Sequence, residues 1–431
     1  MPNRPSSGPV PDGAQRHDFR ILAVLSMLMA FASISTDLYL PALPTMTRAL
    51  HASSGTMELT ISAYLVGFSL GQLAWGPIGD RFGRRMPIAI GLVLFIIGSA
   101  GCALADSPTV MIGWRVVQAA GACASVVLAR AMVRDLYSGH RAAQMMSTLM
   151  TVMAVAPLVG PSVGGLILHF ATWRAIFWTL VGVGVLTLAA LGTLPETLPY
   201  TRRNHEPLAR AFASYTGLLR IRRLLGYAGA SGFFYGAVYA YIAGTPFAYI
   251  TYHHLSPQLY GVQFGAGIVG IMVANQLNAR FVVLFGGDRL IRWGTIGVAL
   301  SGLVLAIDAR TDWGGIVGLF VPLFVLVSAA GFIVANSIAG ALGCKPERAG
   351  AVSALIGSIQ YGTGILGSAL VGVLADGTPW PMGYVIALLG VASMVSALVL
   401  VPLAPSHIPE NKRDAGSGSR HSRQSAQSAR N

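Results

Sequence analysis

The sequence predicts an all-α integral membrane protein with twelve transmembrane helices, arranged as two six-helix halves. Hydrophobic residues make up 54% of it and charged residues only 10%, against about 25% charged in soluble chains. Its mean hydropathy is +0.63. The 431 residues break into apolar runs of about 20 residues, the length that crosses a hydrocarbon core of about 30 Å. The arginines and lysines, finally, gather on alternate connections between those runs.

Taken in order, Met1–Asp18 is rich in Pro, Ser and Gly and reads as a disordered cytoplasmic arm, residues 1–19. Twelve spans follow near 21–43, 58–76, 87–105, 110–133, 144–169, 173–194, 224–250, 259–283, 289–308, 314–341, 350–375 and 380–403. The first is too long for a signal-peptide core and lacks a clear small-residue cleavage site, so it is expected to stay. The sixth rests on one short break, His169–Arg174, and the eighth and ninth part only at Gly286–Asp288. Pro195–Arg223 is the longest polar stretch between spans. It separates a first half, 20–196, from a second, 224–403, with 197–223 as a central cytoplasmic loop. Residues 404–431 are Ser/Arg-rich and read as a disordered basic tail.

Charge placement sets the orientation. Of 29 arginines and lysines, connections on one side hold three, Arg48, Arg174 and Arg310. Arg115 lies inside a span, and the other 25 fall on the opposite side or in the termini. Short basic loops stay in the cytoplasm, so both termini are expected inside. The same placement accounts for a net charge of +13 without nucleic acid as a partner. Cys102, Cys123 and Cys344 show no C-x-x-C or Cys/His pairing, so neither a disulfide framework nor a metal site is indicated.

One connection carries more than charge. Gly76-Pro77-Ile78-Gly79-Asp80-Arg81-Phe82-Gly83-Arg84-Arg85 reads as a tight loop between spans 2 and 3, and an ordinary basic loop would satisfy the charge rule. Its wording, however, resembles the loop between helices 2 and 3 of the major facilitator superfamily, G-x-x-x-D-R-x-G-R-R/K. Gly76, Asp80, Arg81, Gly83, Arg84 and Arg85 fill that pattern. The resemblance implies a secondary transporter in which Asp80, Arg81 and Arg84 latch the cytoplasmic side. It also implies a faint internal repeat, and Asn278-Ala279-Arg280 stands where this loop should be echoed.

Asp37 is the one acidic residue read as lying well inside a span, and a buried carboxylate there is functional by default. Its setting, Ser35-Thr36-Asp37-Leu38-Tyr39-Leu40-Pro41-Ala42-Leu43-Pro44, resembles the D-x-Y-L-P-A-x-P signature of the Bcr/CflA drug:proton antiporters. Arg115-Val116-Val117-Gln118-Ala119-Ala120-Gly121 resembles the superfamily motif R-x-x-Q-G, with Ala119 where Gly is usual. Counting residues from the span ends puts Asp37 and Arg115 both about 9 Å below one membrane edge. In the fold that the resemblance implies, helices 1 and 4 both line the central cavity, so the two are expected to be able to meet, burial and the guanidinium pulling the carboxyl's proton affinity in opposite directions. A structural ion pair is the competing reading. Pro157, Gly160, Pro161, Gly164 and Gly165 match the helix 5 motif of superfamily antiporters; a plain packing kink is the alternative. Arg134-Asp135-Leu136-Tyr137 and Pro195-Glu196-Thr197 also fit the subfamily, with ion pairing among loops as their simplest role.

Candidates for a substrate pocket are Tyr39, Tyr64, Gln118, Tyr235, Tyr239, Asn336, Gln360 and Tyr361; each serves equally well as a helix–helix contact. Tyr235 and Tyr239 share a helix face. Gly67-Phe68-Ser69-Leu70-Gly71 fits a serine-hydrolase pattern and Gly265-Ala266-Gly267-Ile268-Val269-Gly270 a dinucleotide pattern. Both lie in spans without the strand–turn–helix setting those patterns require. The resemblance thus implies a monomeric, multi-pass protein of the bacterial inner membrane. It would export amphipathic drugs, antibiotics or metabolites against entering protons, with the proton gradient in place of any cofactor. Proton-coupled import of a sugar or other small solute is the alternative reading, and an integral membrane enzyme the remote one.

Overall fold

The computed structural model describes residues 12–137, 139–203 and 216–401. Residues 1–11 of the arm, 204–215 of the central loop and the tail therefore lie outside the described residues. Among the described residues, fourteen α-helices make the twelve crossings. The first crossing is α1 (Asp12–Asp37), a 3-10 turn (Leu40–Ala42) and α2 (Leu43–Ala49). The next five are α3 (Ser54–Phe82), α4 (Arg85–Leu104), α5 (Pro108–Leu136), α6 (Gly139–Phe170) and α7 (Trp173–Leu191). The second half holds α8 (Arg222–Pro246), which runs into a π turn (Phe247–Tyr252), then α9 (Pro257–Phe285) and α10 (Gly287–Thr311). It continues with α11 (Gly315–Ser328) and α12 (Ala330–Cys344), which share one crossing, and ends with α13 (Ala349–Leu374) and α14 (Trp380–Leu400). Ten of the crossings are long and apolar enough to span a membrane on their own composition; α3 and α8 fill the remaining two places.

Local chemistry explains the helix starts. At the end opposite the basic loops, Ser53, Ser107 and Ser256 each accept a backbone N–H one turn into the helix that follows. Those N–H groups have no partner within the helix, so a serine cap satisfies them. Pro108 and Pro257 occupy first-turn positions, where a missing N–H costs nothing.

Three boundaries differ from the sequence expectation. α1 begins at Asp12, inside the segment read as an arm. The expected loop Gly76–Arg85 is mostly helix, because α3 continues through Pro77 to Phe82. At 29 residues α3 is about 44 Å long, so its last turns stand beyond a core of about 30 Å, where Asp80 and Arg81 meet polar surroundings. The reversal is confined to Gly83 and Arg84, and Gly83 makes it with φ +90°, a conformation that favours glycine. The first span does not run as one regular helix to Leu43. It stops at Asp37 and re-forms as a 3-10 turn, since Pro41 and Pro44 cannot donate the backbone bonds a continuing helix needs.

The two halves meet along α3 with α13 and along α6 with α9. Ser62 and Ser368 hydroxyls lie 2.8 Å apart across the first seam. Toward the end away from the basic loops, Gly55 and Gly372 bring their backbones into direct contact, so a Cβ on Gly55 would overlap the Gly372 carbonyl. On the second seam, Gly261 packs against the Pro161–Ser162 backbone and Gly165 against Pro257. The molecule is thus closed at the end opposite its basic loops. Gly67 and Gly71 belong to the packing of α3 on α5, and Gly265 and Gly270 to contacts of α9 with Leu158 and Ser328.

Candidate transport site

Asp37 ends α1 and is buried, 4% exposed. Its surroundings are built by neighbours with little side chain. The Cβ of Asp37 lies 3.0 Å from where a Cβ on Gly160 would be, and Gly164 packs on the Leu38 carbonyl. The helix 5 motif, with Pro157 and Pro161 inside α6, therefore forms the wall against which α1 breaks. Thr36 Oγ1 stands 3.1 Å from Asp37 Oδ1.

Arg115 is fully buried in α5, and it does not pair with Asp37. Its guanidinium lies between two rings, 4.2 Å from the centroid of Tyr39 and 4.4 Å from that of Tyr64. Nη1 donates to the Ser35 carbonyl at 3.1 Å and to Gln118 Oε1. Nε and Nη2 have no hydrogen-bond partner; the π faces take their place, a contact worth about 2 kcal/mol or more when desolvated. The expected meeting of the two charges is replaced here by contact between Arg115 and the backbone two residues before Asp37. Sequence depth alone put them at one level; the tyrosines that hold the arginine apart follow only from how α1, α3 and α5 pack.

The pocket candidates divide into three groups. Tyr235, Tyr239 and Tyr361 form one cluster, with centroids 6.2 to 6.3 Å apart. Tyr64 joins it through Phe68, which lies 6.1 Å from Tyr64 and 4.6 Å from Tyr361. This aromatic surface spans α3, α8 and α13, so both halves contribute to it. Tyr39, by contrast, serves Arg115 and holds the Thr60 hydroxyl at 3.1 Å. Gln118 is buried, binding Arg115 and donating to Ser99 at 2.8 Å. Asn336 stands apart: it donates to Asn278 Oδ1 at 2.6 Å within the second half. Gln360, next to Tyr361, is buried with Nε2 unpartnered.

Sequence reasoning missed several members. Phe68 was visible only as part of a hydrolase-like pattern. Arg130, counted among the loop arginines, sits inside α5 with Nη2 3.8 Å from Met153 Sδ. Glu58 and Asp308 are buried as well, 3% and 4% exposed, so Asp37 is not alone among buried acids. Each stands at the edge of an expected span, where a hydropathy window ends because a charge begins; the real helices run three or four residues further.

At the basic end, Arg84 Nη1 meets Asp80 Oδ1 at 2.7 Å and its Nε meets Asp135 Oδ2 at 2.8 Å. Glu196 accepts the backbone N–H groups of Arg84 at 2.8 Å and Arg85 at 3.1 Å. Partial burial opposes ionisation of Glu196, but these backbone donors, that of Leu198 and the charge of Arg203 outweigh it and hold its carboxyl below the usual range. Arg81 lies over the Phe82 ring at 5.8 Å and is not part of this network. Gly76 faces open space.

The comparisons agree with this architecture. Residues 25–338 match the Major Facilitator Superfamily. The chain is 33% identical to the uncharacterized MFS-type transporter YdgK of Bacillus subtilis, covering 93% of this chain and 99% of that one. It is 31% identical to a bicyclomycin resistance protein homolog of Haemophilus influenzae over 85% and 92% of the two chains. It is 29% identical to multidrug resistance protein D of Escherichia coli, over 90% and 97%. The xylose transporter XylE of E. coli, solved in a partially occluded inward open conformation, has the same fold with a TM-score of 0.69 at 16% identity, covering 89% of this chain and 98% of that one. Every one of these proteins is named as a transporter or a resistance protein, and the chain belongs to the Major Facilitator Superfamily of multi-pass membrane transporters.

Proposed function

We propose that the chain exports amphipathic drugs, antibiotics or related metabolites across the bacterial inner membrane in exchange for protons. It works as a monomer surrounded by lipid, by alternating access, with the proton gradient as its energy source. The relatives named for resistance to bicyclomycin, to chloramphenicol and to multiple drugs support the substrate class. The observation that carries the coupling is Asp37: a buried carboxylate at a helix break, against the helix 5 glycines, with no arginine paired to it among the described residues. An unpaired carboxylate in such a site is costly while charged, so a proton and a substrate can act on it in turn. Arg115, bonded to the Ser35 carbonyl two residues before Asp37, tunes that exchange and is available to the carboxylate when the tyrosines part. The aromatic surface of Tyr64, Phe68, Tyr235, Tyr239 and Tyr361 offers stacking without a fixed hydrogen-bond code, which suits varied amphipathic molecules.

The basic end faces the cytoplasm in this reading, and the cluster around Asp80 and Arg84 there braces the conformational cycle. A cysteine at Ser53 is then expected to label from outside the cell and one at Tyr200 only from inside. The deciding experiment is a drug-susceptibility panel in a pump-deficient host, followed by pH-gradient-driven uptake of the active drug into inverted vesicles. Asp37→Asn is expected to abolish uphill transport while binding persists without pH dependence. Uphill transport by that variant would place the coupling elsewhere, and accumulation in the opposite direction would favour the importer.

A further inference from the structure

Glu58 is a buried acid that the transport site does not use. It lies on α3 one turn past Gly55, where the two halves touch backbone to backbone, and is 3% exposed. One carboxyl oxygen, Oε2, is buried without a hydrogen-bond partner. The side chain lines a cavity of about 50 Å³ formed by α3, α8 with its π turn, α13 and α14, room for a few waters. The rest of the lining is apolar or neutral: Phe247, Val371 and Met382 with the hydroxyl residues Ser54, Thr251 and Thr378.

Among the described residues, no charged side chain other than Glu58 lines that cavity. On the packed elements, α2 and its turn carry Arg48 and His51, both exposed. Tyr249 of the π turn lines a different cavity. His253 faces Asp312 at 3.9 Å, and Asp376 in the following loop is bonded to the Thr378 hydroxyl at 2.6 Å. Without a cation to face it, the carboxylate form of Glu58 would be desolvated at a cost that a neutral acid avoids.

We propose that Glu58 is a second proton-binding site, one that takes up a proton as the end opposite the basic loops closes. Opening that end parts Gly55 from Gly372 and admits water to the cavity, and the acid then ionises as an ordinary glutamate does near pH 4.3 or above. The closed form holds one proton more than the open form. Lower pH on that side therefore favours closure, by up to tenfold in the closed-to-open ratio per pH unit. This rests on the alternating-access reading but not on the role given to Asp37.

The test reads the opening directly. Spin labels on Ala49→Cys and Thr311→Cys, in a background with Cys344→Ser, report the separation of the halves at this end. In the wild type the open fraction is expected to grow as pH rises. Glu58→Gln, neutral at every pH, is expected to be biased closed and flat with pH, and Glu58→Asp to restore the titration. The same titration is expected to survive in Asp37→Asn, whatever that variant does to uphill transport. A wild-type titration in Glu58→Gln, or its loss in Asp37→Asn, overturns the proposal. If Glu58→Gln does not fold, infrared spectra of the otherwise unchanged protein with isotope-labelled glutamate decide. A protonated-acid carbonyl band at neutral pH in the closed form supports the site, and its absence overturns it.

Discussion

Both halves reverse their chain at the basic end on a glycine with positive φ, Gly83 at +90° between α3 and α4 and Gly286 at +79° between α9 and α10. What surrounds the two glycines differs. A Cβ on Gly83 would meet Glu196 Oε2 at 2.7 Å and Arg203 Nη2 at 2.8 Å; one on Gly286 would meet nothing. Beside Gly83, the Arg84 side chain is only 6% exposed and is held by Asp80, Asp135 and, through its backbone, Glu196. Beside Gly286, Arg223 meets Asp288 at 2.8 Å, with Arg223 44% exposed, and Tyr227 donates to the same carboxylate at 2.7 Å. One half binds its loop ends with buried charge. The other uses a solvated pair, with a neutral amide contact, Asn336 to Asn278, where the echo of the first-half motif was expected. The difference teaches that the repeat preserves the backbone reversal while the brace around it is free to diverge.

The largest expected contrast comes from removing one carboxylate on each side. Asp135→Ala leaves the buried Arg84 with Asp80 but strips its Nε of a charged partner, an expected cost of about 2 kcal/mol. Asp288→Ala removes a partner from a half-exposed arginine, with an expected loss of less than about 1 kcal/mol. Thermal unfolding in detergent measures both, and equal losses would mean that the two braces are equivalent after all.

Next comes the glycine itself. Gly83→Ala combines an unfavourable φ with a clash against Glu196, for an expected cost of about 2 kcal/mol. Gly286→Ala carries the φ term alone, about 1 kcal/mol. If Gly286→Ala proves the worse, the clash at Gly83 is not what sets the cost. Transport is expected to fall with Gly83→Ala and to be nearly unchanged with Gly286→Ala, since only the first brace links three loops.

A smaller effect separates the amide contact from the ionic ones. Asn278→Ala leaves Asn336 buried with one donor unpaired, an expected loss of about 1 kcal/mol. Replacing both by leucine removes the unmet donor and is expected to recover much of that loss, which a double-mutant comparison of melting temperatures resolves.

Much of this organisation was legible in the chain because it rests on local rules. The apolar runs set the twelve crossings and a reversal between spans 2 and 3, though not its place at Gly83, and Asp37 stood out because charge inside a span is rare. What was not legible depends on who faces whom. Tyr39 and Tyr64 are unremarkable aromatics until packing places them on either side of Arg115, and Asn336 looked like a pocket residue until Asn278 was found opposite it. Glu58 was hidden for a different reason. A hydropathy window stops where a charge starts, so a carboxylate at the end of a span is assigned to water by construction. Only the contact of Gly55 with Gly372 shows that this end of α3 is sealed. Closure of one end is likewise a property of the pairings of α3 with α13 and α6 with α9, which no single helix encodes.

The smallest expected effect concerns acid, and its sign follows from Glu196. Its folded-state carboxyl is held lower than an ordinary glutamate because the N–H groups of Arg84, Leu198 and Arg85 and the charge of Arg203 together outweigh its partial burial. A group depressed in the folded state contributes stability that is fully present above its unfolded value, about 4.3. That contribution is lost as pH falls from there through the folded value. Glu196 is exposed on one side, so solvent screening keeps the expected contribution below about 1 kcal/mol. Lowering the pH from 6 to about 3.5 is therefore expected to loosen the first-half brace slightly more in the wild type than in Glu196→Gln, whose amide does not titrate. The comparison is of melting temperatures against pH for the two proteins: a gap near neutrality that narrows on acidification fits this account. A gap that widens on acidification would mean that Glu196 is stabilised in its protonated form, and the backbone bonds to Arg84 and Arg85 would then have to be weaker than their geometry implies.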